Sequence, residues 1–304
     1  MKSLNIGILA HVDAGKTSLT ERLLFNNGVI KTLGSVDTGN TQTDSMALER
    51  QRGITIKSAV ASFTVGNLKI NLIDTPGHPD FIAEVERALS VLDAVVLVIS
   101  AVEGVQPQTR ILVRTLKRLH IPMLIFVNKI DRGGARYESL LRDITDKLAL
   151  DIVPMGEIRN LGTRSAGFVV YDLDGERKAE LASHTKKALK NPVFFGSAIT
   201  GAGIEAVISG IVEFLPAAQG NMDEPTSGSV FKIERGRAGE KIAYVCMFSG
   251  SIQTRTKLSY GSDKSSKVTS ISVFDKGLIV ERSHIVAGEI GKLWGLMTQK
   301  LATR

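Results

Sequence analysis

Ala10-His11-Val12-Asp13-Ala14-Gly15-Lys16-Thr17 joins an apolar run, Leu4 to Leu9, to a helical pattern from Ser18 to Asn26. Strand, glycine-bearing loop and helix in that order form the context of a phosphate-binding loop. The N–H groups of such a loop converge on phosphate oxygens, and the helix that follows presents its positive end. Lys16 is placed to reach the terminal phosphates and the Thr17 hydroxyl to ligate Mg²⁺. Ala10 stands where the pattern usually has glycine, so the match is to a relaxed form. In isolation, a glycine turn between any strand and helix would read the same way. The octet and Ser18 are the candidate phosphate contacts.

Further elements follow in order. Asp74-Thr75-Pro76-Gly77-His78 succeeds the run Lys69 to Ile73. A carboxylate at a strand end beside a phosphate loop is a second Mg²⁺ anchor, usually through water, so Asp74 joins Thr17 as a metal candidate. Gly77 lets a backbone N–H approach the γ-phosphate. Asn128-Lys129-Ile130-Asp131 ends the run from Pro122. An Asp131 carboxylate accepts two hydrogen bonds from the N1–H and 2-amino group of guanine. Adenine lacks that donor pair and is rejected, because the polar groups of the site stay unpaired. Asn128 can tie this loop to the phosphate loop, and the Lys129 stem can cover the base. Gly196-Ser197-Ala198 also follows a strand, and the backbone at Ser197 and Ala198 can meet the guanine O6. Arg52-Gly53-Ile54-Thr55 lies in a polar stretch. A Thr55 hydroxyl there would ligate Mg²⁺ only while the γ-phosphate holds the loop, an order–disorder switch. Singly these are weak signals; their order is the strong one.

The elements that must position these residues alternate. Ala94 to Ser100 and Pro122 to Asn128 are continuous apolar runs, as buried parallel strands are. Between them Thr109 to Leu119 has helical spacing. Ala59 to Val65 and Lys69 to Ile73 flank Gly66-Asn67, a hairpin signal. Val193 to Gly196 predicts a last short strand and Ile204 to Leu215 a last helix. The reading is α/β, a doubly wound, mostly parallel sheet with its ligand at the carboxyl ends of the strands. In 151–190, Phe168 to Tyr171 reads as a strand and Asp174-Gly175 as a turn. Pro216 to Gly228 reads as a linker. Beyond it Gly228–Glu234, Ile242–Phe248, Lys257–Tyr260, Ser266–Phe274, Ile279–Glu281 and Ile290–Gly295 predict a small β-barrel. The expected domains are 1–220 and 227–304.

Charge supports this division. The net charge of +7 lies wholly in the last quarter: residues 227–304 carry 13 Lys+Arg against 6 Asp+Glu. Such an excess fits an anionic partner, most simply nucleic acid, although a solvated basic surface would look similar. The one cysteine, Cys246, excludes an intrachain disulfide and a cysteine metal cluster, and its apolar neighbours place it inside a strand. No apolar run approaches the roughly 20 residues of a membrane helix. With no targeting segment evident, the expected compartment is the cytoplasm and the expected state a monomer without membrane attachment.

On His11 to Thr17, Glu49-Arg50-Gln51-Arg52-Gly53-Ile54-Thr55-Ile56 and Asp74 to His78, the chain resembles the translational GTPases, elongation factor G and its relatives. Gly34 to Gly39 with Thr43-Asp44, and the short stretch 132–195, are most similar to the tetracycline ribosomal-protection branch. The resemblance implies GTP/GDP with Mg²⁺, and a monovalent cation at Asp13. It implies that His78 orients the attacking water and that Val12 and Ile54 form an apolar gate over it. It further implies a ribosomal partner, with the barrel on the small subunit and ribosomal RNA. Family members continue with three more domains, so a chain of this extent is expected not to displace tetracycline by itself. The N-terminal part of a translocase, a nucleotide-gated ribosome-binding module with little hydrolysis, and an ATP-using enzyme are the alternatives.

Overall fold

The computed structural model describes residues 2–34, 59–74, 87–236, 238–260 and 264–296. Thr55, Ile54, Gly77 and His78 lie outside the described residues. In chain order the first part contains β1 (Lys2–Ala10), α1 (Lys16–Asn26), β2 (Ala59–Val65), β3 (Leu68–Asp74) and β4 (Ala94–Ser100). There follow α2 (Pro107–Arg118), β5 (Met123–Asn128), α3 (Glu138–Leu148), β6 (Ile152–Pro154), β7 (Gly156–Arg159) and β8 (Gly167–Val170). Then come α4 (Gly175–Lys186), β9 (Asn191–Phe195), α5 (Ile204–Phe214) and β10 (Ala218–Gln219).

One sheet of eight strands runs in the order β2-β3-β1-β4-β5-β9-β6, with β10 beside the start of β1. Strands β3, β1, β4, β5, β9 and β6 are parallel, whereas β2 is antiparallel to β3. Successive strand residues point to opposite faces. In β4, Val95, Leu97 and Ile99 therefore enter one core with Leu112, Val113 and Leu116 of α2 and Leu140, Ile144 and Leu148 of α3. Ala94, Val96 and Val98 enter the other, with Leu19 and Leu23 of α1 and Val207, Ile211 and Phe214 of α5. Burial on both faces is why these strands are apolar throughout. Because the strands are parallel, Ala10, Asp74, Asn128 and Phe195 end at one edge of the sheet, where crossover loops leave room for a ligand.

The 151–190 segment departs from expectation at Asp174. Asp174 is not half of a turn but the N-cap of α4, accepting from the Arg177 N–H at 2.8 Å. Asp serves both purposes, since its carboxylate satisfies an orphan N–H in either setting. The expected strand at Phe168 pairs with β7 as a hairpin; α4 in this segment, and α3 before it, are helices the sequence reading does not contain.

The remainder is β-rich. It comprises β11 (Ser227–Arg235), β12 (Lys241–Ser249), β13 (Ser251–Gln253), β14 (Lys257–Tyr260), β15 (Lys264–Lys267), β16 (Ser270–Asp275), β17 (Leu278–Arg282), β18 (His284–Val286) and β19 (Ile290–Trp294). The sheet β11-β12-β19-β16-β17 and the ribbons β13-β18 and β14-β15 are antiparallel. They surround Val245, Met247, Ile252, Val268, Ile271, Val273, Ile285 and Leu293. Among the described residues the strand pairs do not close into a ring.

Strand β12 is covered on both sides. Ala243, Val245 and Met247 face that inner core, and Ile242, Tyr244 and Cys246 join the cluster that includes β4 and α2. Polar contacts accompany this apolar contact between the two parts. Asn5 donates to Cys246 Sγ at 3.4 Å, and Asn71 donates to Asn5 Oδ1 at 2.8 Å and to the Gly288 carbonyl at 3.2 Å. Gly277 N–H donates to the Ser62 carbonyl at 2.8 Å. No helix among the described residues is long and apolar enough to cross a membrane.

Candidate functional site

Gly15 ends the loop after β1 in the left-handed region, φ 93°, as the N-cap of α1. Asp13 is also left-handed, φ 64°, a conformation that costs a non-glycine residue about 1 kcal/mol or more and is common at functional loops. Ala14 N–H bonds the His11 carbonyl at 3.3 Å, closing the turn. Helix α1 has no side-chain cap and no acidic residue in its first turn. The dipole of such a helix favours an anion at its N-terminus. Lys16 and Asp74, both buried, form an ion pair directly below this N-terminus. Thr17 is buried beside Lys16, Val12 is 38% exposed, and Ala10 and Ala14 are buried. Backbone amides, an ammonium, a carboxylate and a hydroxyl are thus gathered around the start of α1. This donor set suits Mg²⁺, which takes oxygen ligands and keeps several waters.

Asn128 joins the second half of the site to the first. Its Nδ2 donates to the Ala14 carbonyl at 2.9 Å, and its Oδ1 accepts from the Ala198 N–H at 3.0 Å. A Cβ built on Gly15 would run into the same side-chain amide, so glycine is required there by contact as well as by φ. Lys129 takes φ 70°, turning the chain so that Ile130 N–H reaches the Gly196 carbonyl at 3.2 Å. The Asp131 side chain is 7% exposed, and its carboxylate is 3.8 Å from Arg132 Nε. Lys129 Nζ holds Glu103 at 3.0 Å. Ser197 is buried, its N–H on the Ala202 carbonyl at 2.9 Å and its hydroxyl accepting from Thr200 N–H at 3.1 Å. The described candidates Ala10 to Ser18, Asp74, Asn128 to Asp131, Ser197 and Ala198 therefore meet at the carboxyl edge of the sheet.

Three contributors escaped the sequence. Arg22, six residues into α1 beyond Lys16, donates through Nε to the Ala198 carbonyl at 2.8 Å and through Nη2 to the Ile199 carbonyl. Thr109, in the first turn of α2, bonds His11 Nδ1 at 3.2 Å. Glu103 anchors Lys129. No local pattern marks these residues, since each pairs across many positions of the chain. His11 is 5% exposed. Burial depresses its pKa, with Lys129 adding to the effect and Glu103 and Asp13 opposing it, so the imidazole is held neutral.

Fold and site together define a phosphate-loop nucleotide-binding protein. A family model, "Elongation factor Tu GTP binding domain", matches residues 1–217. The chain is 47% identical to the oxytetracycline resistance protein of Streptomyces rimosus, over 100% of this chain and 52% of that protein. It is 44% identical to tetracycline resistance protein TetP of Clostridium perfringens, over 97% of this chain and 50% of that protein. Tetracycline resistance protein TetM of Streptomyces lividans matches at 46%, over 86% of this chain and 46% of that protein. The chain thus spans about half the length of the curated relatives it matches. A crystal structure of a protein from Thermus thermophilus has the same fold, with TM-score 0.80 at 21% identity over 98% of this chain and 55% of that chain. The chain belongs to the family of the elongation factor Tu GTP-binding domain, and its relatives include tetracycline resistance proteins.

Proposed function

We propose that the chain binds GTP and hydrolyses it to GDP and phosphate, as a translational GTPase of the ribosomal-protection type stimulated by the ribosome. The observation that carries this reading is the Asn128 clasp, which fixes the phosphate loop and the Ser197-Ala198 loop on either side of one strand end. Asp131 beside it reads the guanine N1–H and 2-amino group. The amides of residues 13–18 and Lys16 hold the phosphates. Mg²⁺, held by Thr17, Thr55 and, through water, Asp74, would neutralise charge on the β- and γ-phosphates. His78 would orient the attacking water, Val12 and Ile54 would shield it, and Asp13 would hold a monovalent cation. Intrinsic turnover without the ribosome is expected to be slow, on the order of 10⁻⁴–10⁻² s⁻¹. Residues 1–220 form the GTP-binding domain. Residues 227–304 form the basic domain that meets ribosomal RNA on the small subunit, with the chain acting as a cytoplasmic monomer.

The test is GTP turnover with and without 70S ribosomes across a salt series. Stimulation that fades as salt rises is expected, because phosphate contacts release counterions. Replacing His78→Ala should abolish stimulation and leave GTP affinity nearly intact. Persistent stimulation in that variant would remove His78 from the mechanism, and tighter binding of ATP than GTP would remove the guanine assignment.

A further inference from the structure

The turn after β9 consists of three consecutive peptide planes. In the first, the Ser197 carbonyl accepts from Gly201 N–H at 2.8 Å and the Ala198 N–H donates to Asn128 Oδ1 at 3.0 Å. In the third, the Ile199 carbonyl accepts from Arg22 Nη2, and the Thr200 N–H donates to the Ser197 hydroxyl at 3.1 Å. The middle plane differs. Its carbonyl, that of Ala198, accepts from Arg22 Nε at 2.8 Å, but its N–H, that of Ile199, bonds to none of the described residues.

In a trans peptide the carbonyl and the N–H point in opposite directions. With Arg22 on the carbonyl, the Ile199 N–H is directed away from α1. Ile199 is 62% exposed, at the surface of the turn. A charged donor on the carbonyl also polarises the peptide and strengthens the opposite N–H as a donor. Arginine suits this task because its planar fork engages two successive carbonyls at once, which a lysine ammonium cannot do with fixed geometry. The Phe25 ring, 5.9 Å from the guanidinium carbon, supports the other side of the fork.

We propose that Arg22 is a positioning residue for base selection: by holding the Ala198 carbonyl it aims the Ile199 N–H at the 6-oxo group of guanine. This rests on the guanine reading proposed above. The Ile199 N–H would act beside the backbone at Ser197 and Ala198.

The test measures affinities of three diphosphates for the full chain with Mg²⁺. GDP carries every group. IDP lacks the 2-amino group. 6-Thio-GDP keeps N1–H and the amino group but replaces the 6-oxygen with a weaker sulfur acceptor. The wild type is expected to prefer GDP over 6-thio-GDP by about three- to tenfold, the worth of one hydrogen bond. Arg22→Met, which keeps an apolar stem on α1, should bring that ratio close to one and leave the GDP/IDP ratio within about twofold, since Asp131 sets the latter. Arg22→Lys should restore the first ratio only in part. Equal weakening of all three nucleotides by Arg22→Met, with both ratios unchanged, would mean a merely structural arginine and would overturn the proposal with the guanine reading intact. A wild type that does not distinguish GDP from 6-thio-GDP would also overturn it. A wild type that binds ADP as tightly as GDP would overturn the guanine reading itself.

Discussion

Replacing Asn128→Ala removes both arms of the clasp between the phosphate loop and the base loop. Asn128 is 3% exposed, and its two hydrogen bonds, 2.9 and 3.0 Å, are well formed. Each bond contributes about 1 kcal/mol net, and stranding the Ala14 carbonyl and Ala198 N–H costs about 1 kcal/mol or more apiece. A loss of about 2–4 kcal/mol follows, roughly 30- to 700-fold if expressed in GDP affinity. It should appear there because the two loops can drift apart in the free protein, and the nucleotide must then reassemble them. The assay is GDP binding by a fluorescent analogue in competition, with thermal unfolding measured in parallel. A second variant sharpens the test. Gly15→Ala places a Cβ against the Asn128 amide and strains a φ of 93°. The clash disappears in the Asn128→Ala background while the strain remains, so the two substitutions should be less than additive. GDP affinity within threefold of wild type in Asn128→Ala, with an unchanged unfolding temperature, would refute the clasp as the element that unites the site.

Asp131→Asn should relax guanine selectivity and let a xanthosine nucleotide bind better than GTP; unchanged selectivity in competition assays would defeat the base-reading role. His11 adds acid sensitivity to stability. Its folded pKa is depressed by burial, so below the ordinary value of about 6.5 the unfolded chain takes the proton first, and stability falls as pH drops toward the folded pKa. His11→Gln should flatten this part of the denaturant midpoint against pH, and an unaltered slope would show that another group is responsible. Asn71→Leu removes the amide that bonds Asn5 and Gly288 in the seam, and should lower stability by about 1–3 kcal/mol in denaturant unfolding; a neutral result would mean that water replaces both bonds.

What the sequence disclosed about this site follows from the range of the interactions involved. The phosphate loop is local: a strand, a left-handed glycine and a helix start, each dictated by near neighbours. Asp131 and Asn128 could be placed because they end a strand whose apolar run is unmistakable, and parallel strands deliver their ends to one edge. The misreadings have equally physical causes. Asp174-Gly175 is a strong turn dipeptide, but the same Asp side chain caps α4, and only the partner N–H of Arg177 tells the two apart. Helix α3 carried a legible signal in Leu140, Ile144 and Leu148, spaced four apart on its buried face. Ser266 to Phe274 reads as one strand from its sequence pattern, yet the ladder breaks at Val268. Thr269 N–H turns to the Trp294 carbonyl, and the Val268 carbonyl accepts from the Arg255 N–H. Strands β13 and β18, three residues each, are too short for any period to declare itself.

Asn5 and Asn71 expose a further limit. Each interrupts an apolar strand, which by pattern alone suggests a fault in the core. Both lie on strands that end in the site, β1 at Ala10 and β3 at Asp74, and each is a mid-strand contact of the β-rich part through Cys246 or Gly288. The seam buries Tyr244, Phe274 and Ile290 against the first part, and the directed hydrogen bonds of Asn5 and Asn71 add a register that apolar area alone does not set. Arg22 repeats this logic within the site. A helix that begins at the phosphate loop reaches, through one guanidinium, carbonyls 176 and 177 positions away. No spacing rule in a single sequence encodes such a pair, because neither the helix nor the turn requires the other for its own conformation. Only the assembled sheet edge brings them together, and the residues that unite a site are for that reason the ones its motifs omit.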